Sequence, residues 1–189
     1  MAAGRCPHLE EAAEVELCRR LQAGEEAALD ALLASEWSHL VAYAEAFTAD
    51  ADGAEEMAQR AFVRLWQYRE RLDPDGSIRA LLYRTVRNLC IDWSRKKRVR
   101  REAAHVLAAR QGEGATPYEA LRERELREAV EAAVEGLSPR RQEAFMLCRI
   151  HGLAHREAAD VMGLAAQTVA NHVTAALKHI RRELDAQLA

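Results

Sequence analysis

The strongest constraint on this chain is the spacing of its apolar side chains, which return every three or four residues through most of its length. Leu17, Leu21, Ala28, Leu29, Leu32 and Leu33 keep that rhythm apart from one break near Gly24, and Leu40, Ala44 and Phe47 continue it. Met57, Ala61, Phe62, Leu65 and Trp66 form the broad apolar stripe of a buried helix. Leu81, Leu82, Val86, Leu89, Cys90 and Trp93 mark another. Residues 1–100 show helices only. Composition agrees: Gly is 9 and Pro 4 of 189 residues, and Ala, Glu, Arg and Leu favour helix over sheet. The chain is 49% hydrophobic, which supports folded cores. Ala supplies much of that share and aromatics are only 5%, so each core is expected to be small. The predicted fold class is all-α, with two small helical domains joined by a flexible linker.

The breaks in the rhythm place the boundaries. Leu72-Asp73-Pro74-Asp75-Gly76-Ser77 is a turn-forming stretch. From Glu102 to Glu119 periodicity fades, and Gln111 to Pro117 reads as a linker. Helix resumes at Leu121, Leu126, Val130, Ala133, Val134 and Leu137. The expected division is 9–101, 102–120 and 121–189. No apolar run approaches the roughly 18–20 residues that span a bilayer, and the N-terminus has no apolar signal core, so a soluble cytoplasmic protein without membrane insertion is expected. Cys6, Cys18, Cys90 and Cys148 are scattered with no C-x-x-C pair, as for ordinary thiols in a reducing compartment.

Charge separates the segments more sharply. The whole chain is −3, which taken alone argues against a nucleic-acid binder. Residues 1–78 are −9, residues 79–101 are +8 and the remainder is −2. The cationic block comprises Arg79, Arg84, Arg87, Arg95, Lys96, Lys97, Arg98, Arg100 and Arg101 against Asp92 alone, and it interleaves Tyr83 and Trp93. Cations attract phosphates, and aromatic rings can stack on unpaired bases. A solvated charged face with a core Trp is the plainer reading of the same pattern.

The C-terminal third has a different constellation. Ser138-Pro139 supplies a helix N-cap followed by Pro at the first helical position, and that helix runs to about His151 before Gly152. A short helix from His155 to Met162 stops at Gly163, and a third runs from about Ala166 to Leu184. Its predicted apolar face is Val169, Val173, Leu177, Ile180 and Leu184. Its front carries Gln167, Thr168, Asn171, His172, Lys178, Arg181 and Arg182. This order matches a DNA-binding helix-turn-helix, and Gln, Asn and Arg can pair with base edges. A plain three-helix bundle with a polar face is the competing reading. Ala154 and Ala165 stand at both N-cap positions, and a missing cap costs about 1 kcal/mol.

Other classes find little support. There is no glycine-rich phosphate loop, nucleophile elbow or supported carboxylate pair, so no enzyme is expected. Cys148, His151 and His155 have a metal-like spacing, but Gly152 divides them between two helices without a clear fourth ligand, and no cofactor is expected. A receiver domain would need strands in residues 1–100. A helix-turn-helix regulator acting without polymerase, and a protein-interaction module, remain as alternatives.

Taken in order, these segments resemble the extracytoplasmic-function group of bacterial RNA polymerase sigma factors, from about Glu16 to Leu184. Leu21 to Leu29 is similar to the family's opening helix. Asp52 to Trp66 resembles its region 2 polymerase-binding helix. Leu82-Tyr83-Arg84, Arg87-Asn88 and Ile91-Asp92 resemble the adjoining promoter-recognition helix. Leu137 to Glu143 and Gly152 to Arg182 resemble region 4.

The resemblance implies that Asp52, Glu55, Glu56, Gln59 and Arg60 face core RNA polymerase. It implies that Asp73, Asp75, Ser77, Arg84, Arg87, Asn88, Trp93, Arg95, Lys96, Lys97 and Arg98 meet the −10 promoter DNA, with the loop Asp73 to Ile78 capturing a flipped base. It implies that Arg156, Gln167, Thr168, Asn171, His172, Lys178, Arg181 and Arg182 meet the −35 element. An anti-sigma factor is the implied regulatory partner, with the linker letting the two modules close around it. Ala170, Ala175 and Ala176, with His172, depart from the basic residues common in relatives and leave the −35 sequence open.

Overall fold

The computed structural model describes residues 11–102, 130 and 132–187. Helix α1 is Glu11–Gln22, α2 is Glu26–Thr48, α3 is Ala51–Gln67, and a 3₁₀ turn covers Arg69–Arg71. Helix α4, Ile78–Glu102, ends the first module. Residues 132–135 are helical. Helix α5, Pro139–Phe145, passes into a π-helical turn at Met146–Ile150; α6 is His155–Met162 and α7 is Ala166–Gln187. No strand occurs among the described residues. The expected linker at 102–120 falls, beyond its first residue, outside them.

Local chemistry sets the helix ends. Gly24, Gly152 and Gly163 adopt positive φ at the exits foreseen for them. Ser77 begins α4: its hydroxyl accepts the Ala80 N–H at 3.1 Å and its carbonyl accepts that of Leu81. Helix α3 crosses α4 closely at Gly53, where an added Cβ would lie 3.2 Å from the Trp93 ring. Only a glycine allows that approach without displacing the indole.

The first module packs Leu21, Leu32, Leu40, Tyr43, Met57, Leu65, Leu82 and Val86 into one core. That core continues into the second module through Ala144, Leu147, Leu153, Ala158, Val161, Met162, Val169 and Val173. Helix α6 lies against α4. A second, smaller cluster is confined to the C-terminal module: Ala133, Leu137, Ala176 and Ile180, flanked by Val134, Phe145 and Leu184.

Polar groups tie the modules as well. Glu143 on α5 is buried and receives the Arg87 guanidinium of α4 and, at 3.3 Å, the Tyr43 hydroxyl of α2. Arg79, only 3% exposed, pairs with Glu36 at 2.8 Å and donates from Nη2 to the His151 carbonyl at 2.8 Å. The His151 ring, 1% exposed, lies among Tyr43, Tyr83 and His39. Among the described residues, neither ring nitrogen has a hydrogen-bond partner. Burial, followed by the charges of His39 and Arg79, lowers its pKa to about 4.

These contacts correct four expectations. Arg79, counted in the cationic block, is a buried ion-pair partner. Tyr83, expected as a stacking surface, is fully buried against Tyr43. On α7, Ala176 fills the core position and Leu177 is 41% exposed, because the helix turns its Ala176–Ile180 edge toward Ala133 and Leu137. Ser138 occupies the N-cap position, but its side chain makes no capping bond. Ala154 cannot cap either, yet the Glu157 carboxylate accepts its backbone N–H at 2.7 Å and supplies half of a capping box.

Candidate nucleic-acid interface

A cavity of about 440 Å³ opens where the 3₁₀ turn meets the start of α4. The Asp73 to Gly76 turn forms its rim. Asp73 Oδ1 accepts the Asp75 N–H at 3.1 Å, and its carbonyl accepts that of Gly76 at 3.0 Å. Helix α1 buttresses this loop: Glu14 accepts the Ile78 N–H at 3.0 Å, and Gln22 donates to the Leu72 carbonyl at 2.8 Å. Asp73, Ser77 and Arg84 line the cavity with Tyr68, Arg71, Gly76 and, from α6, Asp160. A wall with two guanidinium groups and an exposed tyrosine can take an anionic, planar ligand.

The other expected −10 residues are arranged differently. Asn88 and Arg95 are exposed on α4 and Asp75 on the rim. Arg87 is engaged with Glu143, and the Ser77 hydroxyl donates to Glu157 at 2.6 Å while it caps α4. Trp93 is half-buried against α3 at Gly53. The side chains of Lys96, Lys97 and Arg98 lie outside the described residues.

On α3, Asp52, Glu55, Glu56, Gln59 and Arg60 are all exposed, with Arg60 and Glu56 3.3 Å apart. Beside them lies an apolar groove of about 460 Å³, lined by Leu29, Leu33, Trp37, Phe62, Val63 and Trp66, with Gln59 and Gln67 at its edge. Val63 is 49% exposed. Arg69 covers the Trp66 ring, with its guanidinium carbon 4.6 Å from the ring centroid.

On α7, Gln167, Asn171, Lys178, Arg181 and Arg182 are exposed, and Thr168 and His172 are half-buried. Gln167 donates to Asn171 at 3.1 Å, holding two base-edge readers side by side. Arg156 is exposed on α6.

Sequence reasoning missed Tyr68, 58% exposed at the cavity, because it stands outside the cationic run. It also missed the groove, whose Leu29-Leu33-Trp37 and Phe62-Trp66 spacings look the same as those of a closed core. Asp160 could not be foreseen, since its place depends on how the modules pack.

Residues 33–100 match the family model for Sigma-70 region 2, and residues 127–180 match that for Sigma-70, region 4. The chain is 32% identical over 150 residues to the probable RNA polymerase sigma factor RfaY of Xanthomonas campestris pv. campestris, covering 77% of this chain and 37% of that protein. It is 28% identical over 130 residues to the ECF RNA polymerase sigma factor SigE of Mycolicibacterium smegmatis, covering 68% of this chain and 50% of that one. The chain thus spans half or less of the length of these two relatives. Among solved structures, CnrH in complex with the cytosolic domain of CnrY superposes with a TM-score of 0.65 at 25% identity, over 92% of this chain and 97% of that one. With regions 2 and 4 matched in order on one all-helical chain, the protein belongs to the sigma-70 family of RNA polymerase sigma factors, in the two-region layout of its extracytoplasmic-function group.

Proposed function

We propose that this chain binds core RNA polymerase and directs it to a class of promoters, without catalytic chemistry of its own and in the cytoplasm. The single observation that carries this reading is the pairing, on one chain, of a base-sized polar cavity in the first module with a helix-turn-helix in the second. Residues 9–101 would supply polymerase binding and −10 recognition, 121–189 would supply −35 recognition, and 102–120 would connect them. The groove between α2 and α3 offers an apolar seat for a polymerase helix, with Gln59 in its lining and Asp52, Glu55, Glu56 and Arg60 as further polar contacts from the exposed face of α3. Arg84 and Tyr68 would hold an unpaired base and its phosphate at the cavity, with Asp73, Asp75, Asn88 and Arg95 nearby. Gln167, Thr168, Asn171 and His172 would face duplex DNA from α7, and Arg156, Lys178, Arg181 and Arg182 would meet phosphates. An anti-sigma protein is the proposed regulatory partner. CnrH, solved with the cytosolic domain of CnrY, supports that class of partner.

A regulator that read DNA without polymerase would need the helix-turn-helix but would have no use for the α2–α3 groove. Run-off transcription tests the proposal directly. Core polymerase plus this chain should initiate at discrete sites in a genomic template pool, and initiation at none would refute it.

A further inference from the structure

The cavity at the start of α4 has two walls that belong to different elements. Tyr68 and Arg71 stand on the side of the 3₁₀ turn, Leu81 and Arg84 on α4, and the stretch from Leu72 to Ile78 joins them. Inside that stretch, Asp73 bonds to the Asp75 and Gly76 amides. Those bonds shape the tip of the loop but do not fix how far apart its ends stand.

The ends are held from outside. The Leu72 carbonyl accepts the Gln22 side chain at 2.8 Å, and the Ile78 N–H donates to Glu14 at 3.0 Å. Both partners come from α1, eight residues or roughly 12 Å apart along one helix. Between them, Cys18 is fully buried, with Asp73 and Glu14 as its charged neighbours. Beyond Gln22 the chain turns at Gly24, where an added Cβ would lie 3.6 Å from Arg69 of the 3₁₀ turn. Helix α1 therefore runs behind the loop from one wall to the other. Helix α4 has no acidic residue in its own first turn, and no carbonyl inside the helix can take the N–H of its first residue, Ile78. The Glu14 carboxylate fills that place from another element and suits the positive end of the helix. Leu72 and Ile78 are themselves buried, which partly shields both bonds from water.

We propose that Glu14 and Gln22 are positioning residues for promoter selection: from α1 they set the separation of the two cavity walls, and with it which unpaired base the cavity accepts. The inference rests on the reading of that cavity as the −10 base site. Neither side chain lines the cavity, so both act through the loop. A pocket tells bases apart by the placement of a few donors and acceptors, and a wall displaced by about 1 Å no longer presents them correctly. Attraction of Arg71 and Arg84 for phosphate survives such a shift. Loss of either bond thus lowers discrimination between bases more than it lowers DNA binding.

The test is run-off transcription by core polymerase and the full chain on templates that differ in one −10 base at a time, read at limiting template as the ratio of output from the best base to output from the worst. Glu14→Met and Gln22→Met keep the length of each side chain and remove its bond. Glu14→Gln keeps an oxygen to accept the Ile78 N–H. Each Met variant should reduce the ratio about fivefold, and Glu14→Gln should stay within about twofold of wild type. Preference among −35 sequences should not change. An unchanged ratio in both Met variants, with output lower on every template alike, overturns the proposal, and so does a Glu14→Gln ratio as low as that of Glu14→Met. Thermal unfolding identifies a variant that fails to fold, and Gln22→Glu, of the same shape but without a donor, then repeats the test. A wild-type chain that initiates without preference at any −10 base sinks the reading of the cavity itself. A wild-type preference that survives in the Met variants sinks the positioning role alone.

Discussion

Helices α1–α4 and helices α5–α7 use apolar residues at the same spacing but bury them against different things. The first module closes a core around Tyr43, Met57, Leu82 and Val86 from its own helices. The second divides its apolar residues. Ala133, Leu137, Ala176 and Ile180 pack among themselves, whereas Leu147, Leu153, Val161 and Val169 join the core of the first module. The polar groups follow the same division. Glu143 and His151 are buried only because α2 and α4 cover them. A helix-turn-helix is thereby built whose own core is small and whose first helices lean on a neighbour. That asymmetry makes the second module the part able to detach, and the cost of detaching it lies in a few named contacts.

The largest expected effect comes from breaking the buried charge pair. Glu143→Ala leaves Arg87 without its carboxylate inside the contact and should weaken the closed arrangement by about 3–5 kcal/mol. Small-angle scattering should show a larger radius of gyration, with helical content retained. An unchanged radius would mean that the apolar surface alone holds the modules together.

A second effect comes from acid. His151 has its pKa lowered to about 4 in the closed form, from 6.5 when released. The separated or unfolded chain then binds the extra proton between those values, so stability rises with pH across that window. The closed form is fully supported above about pH 6.5 and loses roughly 3 kcal/mol as the pH falls to 4. Burial raises the Glu36 carboxyl, with Arg79 pulling the other way, so its net contribution has the opposite sign. The difference between wild-type and His151→Phe denaturation midpoints across that pH range isolates the histidine. Parallel profiles would remove it from the contact.

Gly163→Ala probes the second module alone. Its φ is +67° and an added Cβ meets nothing within 4 Å, so the cost is the left-handed backbone by itself, about 1 kcal/mol. Urea denaturation should show that shift. A loss several times larger would mean that the α6–α7 turn and the contact with α4 are coupled. The smallest effect is expected from Glu56→Gln, which breaks an exposed pair with Arg60 and should alter stability by no more than about 0.5 kcal/mol. A large loss there would contradict the view of that α3 face as a solvated surface free for a partner.

Much of this was legible from the chain. The apolar spacing and the glycines near 24, 152 and 163 mark helices that form where expected, and the polar front of α7 is exposed at Gln167, Asn171 and Arg181. Local signals suffice there, because helix periodicity and left-handed exits depend on neighbours within a few residues. The site was legible only in part. Arg79 and Arg87 look alike in a basic run, yet one is sealed with Glu36 and the other reaches Glu143, 56 residues away. Tyr83 and Tyr68 are both aromatic and flank the same turn, but the first is in the core and the second is open. Charge and ring chemistry say what a side chain can do, and not which of its surroundings will take it up.

The sequence by itself determined the helices, their order, the turn before α4 and the concentration of cations after it, since each depends on short-range spacing and composition. Only the tertiary structure decided which cations face solvent, that an apolar groove stays open between α2 and α3, and that α6 stands over the cavity. Those outcomes follow from burial between segments distant in sequence, where the removal of a side chain from water is settled by whichever helix arrives to cover it.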